Sequence, residues 1–140
     1  MIPLVAIGAF RTAVRAQPPA TQTAHDLYTI EQAKRGALLY GQHCSYCHGP
    51  NLMGDGSMTP AMDRPFLARW SKGPLADLFD RIAVTMPEGA PGSLSRQEYA
   101  DMLAFILQAN EIPAGKTELP HDAKALKQIW LTAVDEPREP

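Results

Sequence analysis

An all-α fold of about four helices is what this sequence predicts, and three observations carry the prediction. Apolar residues recur at spacings of three and four in four separate stretches, the repeat of one face of a helix. No stretch alternates apolar and polar residues convincingly enough to mark a strand. Thirteen prolines and ten glycines then confine the helices to short segments between turns.

Thr29 and Gln32 are spaced as a capping box and open the first stripe, which runs through Ile30, Ala33, Ala37, Tyr40 and Cys44. A second stripe begins near Pro74, a residue suited to a first helical turn. It continues through Leu75, Leu78, Phe79 and Ile82, and must end before Pro87. In the third, Ser95 and Glu98 form another capping box, with Tyr99, Met102, Leu103 and Ile106 on one face. Asn110 and Pro113 stop it. The last has Asp122 as N-cap, followed by Leu126, Ile129, Trp130 and Ala133.

Residues 49–73, about 25 positions rich in Pro, Gly and Met, show no period at all. A loop of that length needs something to pack against, and four short helices supply few large side chains. A bulky apolar cofactor acting as core would meet both needs.

A chain of 140 residues suits one domain with a modest core. The composition is 45% hydrophobic and 20% charged with a formal charge of -2, which excludes a broadly basic nucleic-acid binder and a disordered polyelectrolyte. The apolar run at residues 2–10 is far short of the roughly 20 residues that span a bilayer, and Arg11 interrupts it. Ala13-Val14-Arg15-Ala16 before Gln17-Pro18-Pro19 reads as the end of an export signal cleaved after Ala16, although the basic start of such a signal is missing. The competing reading is a disordered tail. Cleavage leaves 11 basic against 15 acidic residues, so the mature protein is expected to be acidic and periplasmic. The expected organisation is a signal peptide at 1–16, a flexible segment at 17–28, the helical domain at 29–118 and a C-terminal helical extension at 119–140.

Cys44-Ser45-Tyr46-Cys47-His48 is the C-x-x-C-H pattern of covalent c-type haem attachment. On one helical turn Cys44 and Cys47 share a face and can form thioethers with two haem vinyl groups, while His48 presents its imidazole to the iron. Zinc would want four ligands. No second cysteine pair exists, and His43 beside His48 would make a cramped tetrahedron. A redox C-x-x-C needs a βαβ setting, which is absent. One haem c, covalent through Cys44 and Cys47, is therefore the expected cofactor.

A sixth iron ligand should come from a distant segment, and Met86 in Thr85-Met86-Pro87 lies 38 residues beyond His48 beside a stiffening proline. Met53, Met58 and Met62 carry the same sulfur in the loop after the motif, and Met53 is too close to His48 to reach the far face. Met102 sits on a helical stripe, where a methionine is ordinary core filler. His43 and His121 are the remaining candidates.

With these residues in view, the chain resembles the class I c-type cytochromes. Within them it resembles the small monohaem proteins that work with periplasmic quinoprotein and related dehydrogenases. The resemblance spans about residues 30–119. It rests on Gly36 and Tyr40 before the attachment motif and Gly49, on Leu52, Gly54, Phe66 and Trp70, and on Met86-Pro87. It continues through Pro91-Gly92-Ser93-Leu94-Ser95, Glu98-Tyr99, Ala104-Phe105-Ile106-Leu107, Asn110 and Pro113-Ala114-Gly115. It implies a cytochrome c-like fold, with the helices wrapped around one covalently bound haem. It further implies that Gly36 lets the first helix cross the third closely, with Tyr40 meeting Met102 and Phe105. Pro60 would accept the Nδ1 proton of His48. Trp70, with Arg64 or Arg69, would lie near the haem propionates. Phe105, where the family commonly has tyrosine, and the Met-rich loop are departures.

Two axial ligands leave iron no open position, and a thioether raises the potential. No nucleophile with a base, no paired acids and no phosphate loop appears. An electron carrier rather than an enzyme is the expected function. Its donor would be a quinoprotein or molybdenum dehydrogenase and its acceptor an oxidase or another cytochrome. The alternatives are a haem subunit of a dehydrogenase complex and a haem-based gas sensor.

Overall fold

The computed structural model describes residues 26–131. The export signal, residues 17–25 of the lead-in segment and Ala133 lie outside them. Among the described residues there are six helices and no strand: α1 (Ile30–His43), α2 (Ser45–His48), α3 (Arg64–Ala68), α4 (Leu75–Thr85), α5 (Arg96–Ala109) and α6 (Ala123–Leu126). None is long and apolar enough to cross a membrane.

The caps read from the sequence set the helix starts. The Thr29 side chain accepts from the Gln32 amide at the start of α1. Both halves of the Ser95/Glu98 capping box are made at α5, and Asp122 caps α6. Pro74 occupies the N-cap position of α4 and makes no side-chain cap bond.

The main packing is α1 across α5. A Cβ on Gly36 would lie 1.8 Å from the Asp101 carbonyl oxygen, so only glycine permits this approach of the two backbones. Beside it, Arg35 reaches the buried Asp101 carboxylate through Nε at 2.9 Å and Nη2 at 3.1 Å, and Gln97 adds a bond at 2.8 Å. Tyr40 and Phe105 meet with ring centroids 5.1 Å apart. The sequence gives α5 one apolar face, but Tyr99, Ala100, Asp101, Met102, Leu103 and Ala104 are all buried. α1 and α4 both pack on this helix, so it is central rather than amphipathic.

Three other expectations change. The loop at 49–73 contains α3, capped by the Asp63 side chain on the Phe66 amide. Leu27 and Tyr28, assigned by sequence to a flexible segment, are buried. The Tyr28 hydroxyl donates to the Ile112 carbonyl, and the Gly115 amide donates to the Tyr28 carbonyl at 2.7 Å. The fourth stripe is helical for a single turn. Beyond α6 the chain extends, the Leu75 amide donates to the Ile129 carbonyl at 2.8 Å, and Trp130 forms an antiparallel bridge with Pro74. Pairing with another backbone requires extended rather than helical torsions at Ile129 and Trp130, which is why the helix stops.

Candidate haem site

The attachment motif begins where α1 ends. Cys44 is the C-cap of α1 and the N-cap of α2, so the backbone bends there and starts a new turn. The His48 and Gly49 amides close that turn by donating to the Cys44 and Ser45 carbonyls, each at 2.9 Å. Gly49, at φ 73°, leaves the helix in the left-handed region that favours glycine. The Tyr40 hydroxyl donates to the Gly49 carbonyl at 2.6 Å and fixes the exit. Tyr46 between the cysteines is 99% exposed, Cys47 is exposed as well, and Cys44 is half-buried.

Cys44, Cys47 and His48 border a cavity of about 530 Å³, within the range of small-molecule and cofactor sites. Met86 borders the same cavity as the C-cap of α4, in extended conformation. The apolar lining comes from Leu78 and Ile82 of α4, Met102 and Ile106 of α5, and Phe66 and Trp70. Met102 is core and cavity wall at once. It is only 3% exposed, and its sulfur lies 3.6 Å from Cys44 Sγ.

The polar chemistry fits a haem better than the rival sites. Both cysteines are free thiols. Burial, reinforced by the charge Cys47 would carry, pushes the Cys44 thiol up to about 11, so it holds its proton at neutral pH. Among the described residues, no group of three or more His, Cys, Asp or Glu converges as a metal cluster would require. Of the His48 ring nitrogens, Nδ1 is buried with no hydrogen-bond partner among the described residues.

The same orphan corrects one expectation. Pro60 borders the cavity, but its carbonyl does not accept from His48 Nδ1. The loop carrying it closes on other bonds, from the Gly54 amide to the His48 carbonyl at 2.8 Å and from the Met62 amide to the Leu52 carbonyl at 2.8 Å. Trp70 and Arg69 border the cavity. Arg64 does not. As the first residue of α3 it turns toward the end of α5, where its Nη1 donates to the Asn110 carbonyl at 3.0 Å.

Of the other methionines, Met58 and Met62 border the cavity and Met53 does not. Met58 is 90% exposed, whereas Met62 is buried. His43 also borders it, and His121 does not.

Sequence reasoning missed Arg81 and Tyr99. Arg81 borders the cavity from α4, one helical turn before Thr85, which also borders it; the stripe through Leu78 and Ile82 points that way. The Tyr99 hydroxyl donates to the Met86 carbonyl at 2.7 Å and ties the end of α4 to α5. Nothing local in the sequence announces that bond.

A helical domain with a C-x-x-C-H turn on the wall of a cofactor-sized apolar cavity defines a c-type cytochrome. The family described as Cytochrome C oxidase, cbb3-type, subunit III matches residues 31–106, more than half of the chain, and the chain belongs to it. No curated protein and no solved structure matches. Haem c as cofactor, redox proteins as partners and haem-based electron transfer as the function follow from that membership.

Proposed function

We propose that this chain is a periplasmic carrier of single electrons. Its one haem is held by thioethers from Cys44 and Cys47 and ligated by His48 and Met86. A dehydrogenase is its donor, and a terminal oxidase or another cytochrome is its acceptor. The observation that carries the reading is that two thiols, an imidazole and the Met86 thioether border one apolar cavity. When bound, such a haem would supply a one-electron couple, and sulfur ligation from Met86 would raise its potential.

The polypeptide contributes position and exclusion of water. α2 sets both thiols and the imidazole on one turn. Tyr99 anchors the Met86 backbone. Leu78, Ile82 and Ile106 keep the lining apolar, which disfavours the more highly charged oxidised state. Arg69, Arg81 and Trp70 are the groups available to haem carboxylates at the rim, with Arg81 in the place expected for Arg64. The family's description as an oxidase subunit supports an oxidase on the acceptor side.

Protein matured with haem-attachment machinery should keep the haem mass under denaturing conditions and show a far-red sulfur-to-iron band when oxidised. Met86→Ala should abolish that band, admit carbon monoxide to the reduced iron and lower the potential. An unchanged spectrum in Met86→Ala would overturn Met86 as ligand and move the role to Met58 or Met62. Mass without haem would overturn the whole reading.

A further inference from the structure

The C-terminal segment, residues 111–131, leaves α5, crosses α1 and finishes on α4. After Ile112 and Gly115 have met Tyr28, its anchor on α1 is the buried Gln32, whose Nε2 donates to the Leu119 carbonyl at 3.0 Å. Gln32 Oε1 accepts from the Leu119 amide at 2.6 Å. Arg35 pairs with Glu118 at 2.9 Å, and Arg96 Nε donates to the His121 carbonyl at 2.7 Å. Leu126, Ile129 and Leu131 are then buried.

The last anchor falls on a weak point of α4. A helix leaves its first four amides without partners inside the helix, and Pro74 supplies no side-chain cap. The Ile129 carbonyl takes the Leu75 amide at 2.8 Å in its place, and the bridge of Trp130 with Pro74 lies beside it. α4 otherwise leans on α5, through Phe79 against Tyr99 and through Arg96 over the Phe79 ring. The other end of this same helix is Met86.

We propose that residues 111–131 are a positioning strap. By capping the start of α4, the Ile129 turn fixes the helix whose far end presents Met86 to the haem cavity. This rests on Met86 as ligand. The strap meets α1 and α5 through residues 118–121, and only its end, at Ile129 and Trp130, meets α4. Loosening that end while residues 118–121 stay in place therefore opens the cavity from the α4 side.

The test uses haem-loaded protein. A chain ended after Lys127 loses the Ile129 carbonyl, and one ended after Leu131 keeps it. The shorter chain should lose more than half of the far-red band and bind carbon monoxide at least tenfold faster. The longer one should match the full chain. Equal bands and equal rates in all three would overturn the proposal. A second measurement needs no variant. In the full chain, amide hydrogen exchange should show α4 and residues 122–131 opening together, at least tenfold faster than the centres of α1 and α5. If α4 instead exchanges with α1 and α5 while the strap opens separately, the strap does not position it. A full chain lacking the far-red band would refute Met86 ligation, and the exchange result would still decide the strap.

Discussion

The two sides of the haem cavity are held by different kinds of contact. On the attachment side, α1 and α5 touch backbone to backbone at Gly36 and Asp101. A buried carboxylate is gripped by Arg35 there, and Tyr40 stacks obliquely on Phe105. On the α4 side the contacts are fewer: buried Leu75, Leu78 and Phe79 pack inward, Phe79 meets Tyr99, and the ends are tied by the Tyr99 hydroxyl and the Ile129 carbonyl. Dense packing is hard to open by degrees, whereas single directional bonds open one at a time. The Cys44 and His48 side is thus expected to be the harder to open, and the side that carries Met86 the easier.

The sharpest way to break this contrast is Gly36→Ala. A Cβ at 1.8 Å from a backbone oxygen cannot be relieved by a rotamer change, so the helices must separate. The expected loss is ~3 kcal/mol or more, read as a lower urea midpoint. Both sides of the cavity should fail together, because α5 carries both. Survival of the fold at wild-type stability would mean that the crossing is not its foundation.

Asp101→Asn comes next. It keeps the shape but removes the charge that Arg35 and Gln97 both engage, and because Arg35 is half exposed, water recovers part of the loss. A destabilisation of about 2 kcal/mol in chemical denaturation follows, with the spectrum of the loaded protein unchanged. A shifted far-red band in this variant would show that the two sides are coupled after all.

Tyr99→Phe addresses the other side. It removes one hydroxyl and leaves the Met86 carbonyl without its donor, at a cost of about 1 kcal/mol. Its signature should be spectroscopic: a weaker far-red band and faster carbon monoxide binding, with denaturing mass unaltered. No change in either would remove the phenol from the account of how Met86 is held.

These predictions also mark what the sequence made legible. Thr29, Ser95 and Asp122 were readable as caps, and Cys44, Cys47 and His48 as an attachment turn, because each signal lies within four residues of its partner. Gln32 with Leu119 was not readable, since it joins positions 87 apart and a glutamine in a helix ordinarily faces water. The same holds for the hydroxyl of Tyr99, whereas Arg81 lies beside the Leu78 and Ile82 stripe that pointed to it. The helix expected through Ile129 and Trp130 failed for a related reason: its periodicity was real, but a backbone partner far away at Leu75 claimed the chain. α3 was overlooked although Asp63 and Pro65 are good starting residues, because five residues are too few to show a period.

The smallest effect separates the sides by pH. Burial, followed by the neighbouring Cys44, pushes the Tyr40 hydroxyl up to about 12 from its ordinary value near 10. The folded protein therefore keeps a proton that the unfolded chain gives up. This contribution is complete below the ordinary tyrosine pKa and is lost as pH rises from there through the folded value. Tyr40→Phe should be nearly neutral at pH 7 apart from the lost bond to Gly49, and should flatten the alkaline fall in stability above about pH 10. An alkaline limb that persists unchanged in Tyr40→Phe would remove Tyr40 as its source and leave Tyr28, whose hydroxyl burial also pushes up.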